Sequence, residues 1–162
     1  NSVAAVAAGI VAKNTGGTNI KDCRNDGTVT STADYVGGII GYISGTATIE
    51  GCSNESTVSG KRYVGGIAGL INVAATVTIT DVTVNNTVVN GTQALGGIIG
   101  GESNSNAKVK YKNWTVTGCE FYVDGVKTEA IDGFDYADRK TLSATPGVYF
   151  GFIAGTLTEI TE

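Results

Sequence analysis

Two side-chain types that can do chemistry recur at nearly constant spacing in this chain of 162 residues. Cys23 and Cys52 are 29 positions apart, and Tyr35 and Tyr63 are 28 positions apart. The chain contains no histidine, which excludes a Ser-His-Asp triad, a Cys-His pair and a His-x-x-x-His zinc site within it. We therefore expect no catalytic residue, no metal site and no cofactor. The regular spacing of the cysteines and tyrosines indicates a repeated structural unit.

Cys23 and Cys52 have two alternative roles. If they lie in neighbouring coils of one stack, their backbones are about 5 Å apart, which is within disulfide range. Side chains in a parallel ladder point the same way, however, which suits the near-90° torsion of a disulfide poorly and favours two buried thiols packed as small apolar residues. Cys119 aligns with Thr87 instead, so we expect it to be unpaired.

Tyr35 and Tyr63 are the candidate ligand-binding residues. Apolar faces of sugars pack on aromatic rings, so two stacked tyrosines could bind carbohydrate, and a packed tyrosine row at an edge is the structural alternative. Carbohydrate-active β-helices also use carboxylates, which are scattered here at Asp22, Asp26, Asp34, Glu50 and Glu55. Those enzymes need a groove across many coils, which this chain is too short to supply, so we predict that it is not an enzyme.

A second group of carboxylates lies near the C-terminus, at Glu129, Asp132, Asp135 and Asp138. Carboxylates at short spacing can bind calcium. The spacing does not match an EF-hand loop, and Arg139 and Lys140 follow directly. A solvated polar segment is therefore the favoured interpretation.

An internal repeat must position these residues. A block of glycine and isoleucine recurs at steps of 29, 28 and 31 residues, as Ala8-Gly9-Ile10, Gly37-Gly38-Ile39, Gly65-Gly66-Ile67 and Gly96-Gly97-Ile98. Glycine inside a helix costs about 0.5–1 kcal/mol per residue, which argues against a helical repeat. The remaining segments are rich in Val, Ile and Thr, with the alternation typical of strands.

Short strands in stacked copies predict an all-β fold, a parallel, right-handed β-helix of about four coils over residues 1–119. Equivalent residues of successive coils should then form rows, in which side chains of similar type stack on one another. We predict three such rows: Ile10, Ile39, Ile67 and Ile98; Gly38, Gly66 and Gly97; and Cys23, Cys52, Val82 and Trp114. Paired glycines would let the chain bend or pack closely at a corner.

Residues 120–162 depart from the repeat and are expected to cap the stack, as a divergent coil or a hairpin. Asp124-Gly125 between alternating residues indicates a hairpin. Alternatively, Tyr122–Val126 and then Tyr149–Ile153 continue the repeat in the register of Tyr35–Ile39. A cap would cover the open edge of the last coil, which otherwise invites pairing with other chains.

The repeated pattern Gly-Gly-Ile-x-Gly, then Ile-x-x-Cys-x-Asn, then Thr-Val-Ser-Gly resembles the GLUG motif family. The clearest matches are residues 36–60 and 64–69, residues 7–29 are a looser copy, and the likeness covers residues 6–119. Repeats of this family occur in large bacterial surface proteins, including non-catalytic regions of streptococcal IgA1-type metallopeptidases and surface proteins of Bacteroidetes. The zinc motif His-Glu-x-x-His of those peptidases is absent, so the resemblance implies no protease activity.

The resemblance implies a non-catalytic, adhesin-like or spacer module of a bacterial cell-surface protein. Its expected partners are a host glycan or surface protein and other domains of a larger chain. Export would use a signal peptide upstream of these residues, and the segment itself should not enter a membrane, because its apolar N-terminal run is too short. The net charge of −4 gives no basic field for nucleic acid.

Overall fold

The computed structural model describes residues 5–131 and 146–161, and within them all regular structure is β-strand. The strands wind into stacked coils with parallel pairing between coils, which confirms the predicted β-solenoid of about four coils. Val, Ile and Thr alternate along the strands, so one side of each strand is buried while the other faces solvent.

Successive strands of each coil are short. The first coil contains β1 (Val6–Ala8), β2 (Val11–Asn14), β3 (Thr18–Lys21), β4 (Arg24–Asn25) and β5 (Val29–Thr30). The second contains β6 (Tyr35–Gly37), β7 (Ile40–Ile43), β8 (Ala47–Glu50), β9 (Ser53–Asn54) and β10 (Val58–Ser59). The third contains β11 (Arg62–Gly65), β12 (Ala68–Ile71), β13 (Thr76–Asn85) and β14 (Val88–Gly91). The fourth contains β15 (Gln93–Gly96), β16 (Ile99–Glu102), β17 (Lys108–Thr117) and β18 (Glu120–Val123).

Three further strands follow the fourth coil: β19 (Val126–Lys127), β20 (Phe150–Ile153) and β21 (Thr156–Glu159). Stacking the coils creates four sheets, here called faces A to D. Face A has the order β1-β6-β11-β15, and face B has the order β2-β7-β12-β16-β20. Face C runs β3-β8-β13-β17-β21, with β4 and β9 continuing it beside β13, and face D runs β5-β10-β14-β18-β19.

The C-terminal part contains both a hairpin and a piece of a fifth coil. Strands β18 and β19 pair antiparallel around Asp124-Gly125, where both residues have positive φ. Strands β20 and β21 stack in parallel on β16 and β17. The alternative register was wrong: Tyr122 lies opposite Asn90 on face D, and the pairing of Ile99 with Phe150 sets Tyr149 beside Ile98, not in the row of Tyr35.

Most of the buried apolar residues belong to two clusters, and a third, small cluster consists of Ala94, Phe152 and Ala154. The larger lies between faces B and C and contains the isoleucine row of Ile39, Ile67 and Ile98. The smaller lies between faces A and D and is built mainly of valines such as Val36 and Val64. Ile10 aligns with the isoleucine row but is 46% exposed, because within the part of the chain that the structure describes the first coil is packed against another coil on one side.

Lack of space explains the repeated glycine pairs Gly37-Gly38, Gly65-Gly66 and Gly96-Gly97, since none of these residues has a left-handed φ. A Cβ on the first glycine, as at Gly65, would overlap the carbonyl oxygen of Ala68 three residues later. A Cβ on the second, at Gly38 or Gly66, would overlap the carbonyl oxygen of the equivalent glycine in the next coil. The row of Gly38, Gly66 and Gly97 therefore marks a corner where neighbouring backbones are in direct contact.

Candidate functional site

The Tyr35 and Tyr63 side chains are neighbours on face A, where the pairing of Val64 with Val36 sets the register. Their ring centroids are 5.7 Å apart with an interplanar angle of 65°. Tyr42 from face B stacks on Tyr35 at 5.3 Å and 17°, and Lys13 Nζ lies 5.3 Å from the Tyr42 ring centroid. The structure thus adds Tyr42 to the predicted pair, and the three half-buried rings form one tyrosine cluster at the A–B corner.

An ion pair borders the tyrosine cluster. Arg62 donates from two nitrogens to the Asp34 carboxylate, at 3.1 and 2.8 Å. The guanidinium hydrogen bond holds the pKa of Asp34 below its usual value. Partial burial raises the pKa of both Tyr35 and Tyr63, so both phenols stay protonated at neutral pH and can donate as well as accept hydrogen bonds.

Much of the ring surface in this cluster is used by internal contacts. Tyr42 stacks on the Tyr35 ring, and Tyr63 also packs against the small cluster of Ala94, Phe152 and Ala154. Tyr63 and Ala94 both have positive φ, at 51° and 52°. Non-glycine residues rarely adopt that conformation, and here it recurs at the same position in two coils.

The cysteine row has the predicted register, because the pairing of Arg24 with Ser53 sets Cys23 beside Cys52. All three cysteines are free thiols. Cys52 is buried with its Sγ 3.4 Å from the carbonyl oxygen of Glu50, and burial raises its pKa. Burial likewise raises the pKa of Cys119. Higher up the row, Val82 pairs with Trp114.

A buried asparagine pair is a structural feature that sequence reasoning recorded only as part of a motif. Asn25 Nδ2 donates to Asn54 Oδ1 at 2.7 Å, and Asn54 Nδ2 donates to Thr87 Oγ1 at 3.2 Å. Each asparagine also donates to the backbone carbonyl two residues later. The Asn in Cys-x-Asn thus closes the turn after β4 or β9 and links neighbouring coils, and its repeated position was the available signal.

The scattered carboxylates are mostly ion-paired on the surface. Glu50 accepts from Lys21 at 2.6 Å, and Arg24 bridges Asp26 and Glu55 at 2.6 and 2.9 Å. Arg24 therefore reduces the repulsion between Asp26 and Glu55, which occupy equivalent positions in neighbouring coils. Of the C-terminal group, Glu129 is described, whereas Asp132, Asp135 and Asp138 lie outside the described residues, as do Arg139 and Lys140.

An aromatic cleft of about 430 Å³ lies at the C-terminal end of the stack. Its lining residues come from β17, β20 and β21 and the turn before β20: Tyr111, Asn113, Trp114, Tyr149, Phe150, Leu157 and Glu159. The sequence singled out Trp114 as a member of the cysteine row, and it placed Tyr149 and Phe150 in a continuation of the repeat whose register was wrong. The other lining residues carried no signal in the sequence.

Comparison with known proteins gives one finding. Residues 32–59 match the family model of the GLUG motif, which confirms the resemblance over the second coil. Neither the curated proteins nor the solved structures contain a match to this chain. Within residues 5–131 and 146–161, no helix has the length and apolarity to cross a membrane, and no three His, Cys, Asp or Glu side chains converge as metal ligands would.

Proposed function

We propose that this chain is a non-catalytic repeat module of a bacterial cell-surface protein, which spaces or presents an adhesive region. The observation that supports a spacer most directly is the continuity of the parallel ladders. Faces B and C extend through all four coils into a fifth. Each inner coil is therefore hydrogen-bonded to neighbours on both sides, and local opening must break two interfaces at once.

The rows of identical packing add stiffness. Ile39, Ile67 and Ile98 are fully buried in one line, and the glycine corner brings successive backbones into contact without side chains between them. Close-packed interiors transmit strain and have low compressibility. Such a stack can hold a neighbouring domain at a fixed distance, which is what a spacer on a cell surface requires.

The surface location is proposed from the GLUG motif at residues 32–59 together with the known occurrence of such repeats in bacterial surface proteins. Antibody labelling of intact and permeabilised cells of the source organism tests it. We expect equal labelling of both preparations. Labelling that requires permeabilisation would contradict the surface location.

The scaffold role has its own test, in which the chain is placed between two reference domains and pulled by single-molecule force spectroscopy. We expect cooperative rupture of the solenoid at higher force than an unstructured linker of equal length, which extends without a peak. Incubation with a panel of polysaccharides provides the second arm. Cleavage of any member of the panel by the purified chain would overturn the non-catalytic assignment.

Carbohydrate binding through Tyr35 and Tyr63 is the second candidate function, with a host glycan as partner. It is favoured by the clustering of three tyrosine rings beside the Arg62–Asp34 pair at the surface. A glycan array probed with the wild-type chain and with the Tyr35→Ala/Tyr63→Ala double variant tests it. Binding that the double variant loses would establish this role, and binding that it retains would exclude these tyrosines.

A further inference from the structure

The outer surface of face C carries three lysines in a line. Lys108, Lys110 and Lys112 occupy alternate positions of β17, and Val109 between the first two is buried in the larger apolar cluster. Side chains alternate across a strand, so the three lysines point to the outside of the solenoid. Alternate residues of a strand are about 6.6 Å apart. These three residues are here called the lysine strip.

The first two lysines of the strip lie in the interior of face C, with a paired strand on each side of β17. Each of them is flanked by two threonines in the register of the sheet: Lys108 by Thr76 and Thr156, and Lys110 by Thr78 and Thr158. Neighbouring strands are about 4.8 Å apart, so hydroxyl groups border the ammonium groups on both sides. The lysines are exposed because they point outward, and not because they lie at an end of the stack.

The positive charge of the strip lacks carboxylate partners at its first two positions. Within residues 5–131 and 146–161, neither Lys108 nor Lys110 forms an ion pair, whereas Lys21 on the same face is paired with Glu50 at 2.6 Å. Glu159 on the adjoining strand occupies the row of Tyr111, which alternates with the lysine rows to the other side of the sheet. Like charges at this spacing repel each other, and a bound anion would relieve the repulsion.

A ligand that matches this surface has repeated anionic groups and many hydroxyl groups. The lysine ammonium groups can donate charge-assisted hydrogen bonds to carboxylate or sulfate oxygens. The flanking threonine hydroxyl groups can donate to sugar hydroxyl groups and accept from them. An extended polymer laid along β17 would meet both kinds of group in turn, and an acidic polysaccharide has this composition.

The residue types around the strip argue against two other polyanionic ligands. Single-stranded nucleic acid gains affinity by stacking its bases on aromatic side chains, and binding to a membrane surface adds apolar or aromatic side chains to the cations. The outward positions of β8 and β13 in the lysine rows hold Thr48, Glu50, Thr76, Thr78 and Thr80. None of these is aromatic, so charge and hydroxyl groups are the means of recognition.

We propose that the lysine strip on outer face C binds an acidic polysaccharide. Lys108 and Lys110 contact its carboxylate or sulfate groups, and the flanking threonines contact its hydroxyl groups. The scaffold role does not depend on this site. The site is also separate from the tyrosine cluster, which lies on faces A and B.

Binding of the 162-residue chain to immobilised polysaccharides, measured by surface plasmon resonance, tests the proposal. Polygalacturonate presents carboxylates, dextran sulfate presents sulfates, and dextran is the neutral control. We expect saturable binding to at least one acidic polymer, although the chain has a net charge of −4. The affinity should fall about tenfold between about 0.01 M and 0.15 M salt, because the Debye length shortens from about 30 Å to about 8 Å.

Charge-matched variants assign the binding to the strip. Lys108→Gln/Lys110→Gln should lower the affinity about tenfold, since each exposed charge contributes a modest amount. Lys61→Gln removes a charge from an exposed lysine outside face C and should bind within about twofold of the wild type. Far-UV circular dichroism checks that both variants are folded.

Four outcomes would overturn the proposal. The first is the absence of saturable binding to either acidic polymer, and the second is equal binding to neutral dextran. The third is a folded Lys108→Gln/Lys110→Gln variant that binds as tightly as the wild type, above all if Tyr35→Ala/Tyr63→Ala abolishes binding, because the tyrosine cluster would then hold the ligand. The fourth is tighter binding to single-stranded DNA or to phosphatidylserine vesicles than to both acidic polysaccharides.

Discussion

Asn54 in the second coil and Val116 in the fourth occupy the same row of the solenoid, through Val84 between them. Both side chains lie under the glycine corner, Asn54 against Gly38 and Val116 against Gly97. One is an amide with several hydrogen bonds, and the other is aliphatic. The comparison indicates that the backbone ladder and its glycines define the coil, while a row accepts a polar or an apolar residue provided that the polar one is fully partnered.

The largest effect should come from disrupting the glycine corner, which the second and fourth coils have in common. In Gly66→Ala, the new Cβ would overlap the carbonyl oxygen of Gly97 and lie within 3.0 Å of the Val84 methyls. Neither the backbone nor the buried valine can move freely, so we expect a loss of about 3 kcal/mol or more in the free energy of unfolding. Urea unfolding followed by far-UV circular dichroism measures it.

Gly17→Ala is the matched control for that substitution. A Cβ at Gly17 meets no atom within 4 Å and its φ is not left-handed, so the variant should be neutral or gain up to about 1 kcal/mol. Equal losses in the two variants would show that glycine contributes through chain flexibility and not through close contact at the corner.

The difference between the two coils is tested by making the second coil resemble the fourth. Asn54→Val should cost about 2 kcal/mol, because Asn25 Nδ2 loses its acceptor Oδ1 and Thr87 loses a donor. Adding Asn25→Val removes the amide that Asn54→Val leaves without its acceptor. The double variant should therefore lose about 1 kcal/mol less in the free energy of unfolding than the sum of the two single variants. A double-mutant cycle in urea measures this coupling, and strictly additive losses would contradict the linked pair.

A second row shows the same exchange between apolar and polar side chains. Ile43 and Ile71 are followed in their row by Glu102, which is also fully buried. Its carboxylate accepts from the backbone N–H groups of Asn104 at 2.6 Å, Ala154 at 3.1 Å and Gly155. Glu102 thereby attaches the fifth coil to the fourth by closing the turns at the B–C corner.

Glu102→Gln replaces an acceptor oxygen with a donor that faces backbone N–H groups. We expect a loss of about 1.5 kcal/mol, since hydrogen bonds to charged groups contribute about 1.5–3 kcal/mol. Glu55→Gln, at an exposed pair with Arg24, is the control and should change the stability by less than about 0.5 kcal/mol. Hydrogen exchange at β20 and β21 should increase in Glu102→Gln alone; unchanged exchange there would exclude the attachment role.

The repeat period made the fold and its rows predictable from the sequence. The steps from Gly37 to Gly65 and from Cys23 to Cys52 are the registers that the strands adopt. The C-terminal end was not predictable in the same way, because the segment between β19 and β20 breaks the period, and Tyr149 could then be aligned by its residue type alone. In the structure Tyr149 lies beside Ile98. That position of the repeat is four residues after the position of Tyr35, to which the residue type had aligned it.

The candidate sites depended on information that spacing does not contain. Tyr35 and Tyr63 were identified because they repeat, whereas Tyr42 joins them from a different face of the coil and has no repeated tyrosine partner. Glu159 and Tyr111 come together across strands, and nothing in the local sequence of either residue signals that pairing. Contacts between two faces, or between coils with different residue types in one row, therefore had to be observed in the structure.

The smallest effect concerns the ion pair beside the tyrosine cluster, which the second and third coils share. The pKa of Asp34 is lowered by its hydrogen bonds to Arg62, so the pair stabilises the fold above the unfolded-state pKa of about 3.9. That contribution is lost as the pH falls through the lower folded-state pKa. Arg62 is 39% exposed, so solvent screening limits the contribution to about 1 kcal/mol or less. Asp34→Asn should therefore lower the stability slightly at pH 7, and its difference from the wild type should vanish near pH 2. A difference that stays constant over this pH range would show that packing of the side chain, and not its charge, links the two coils here.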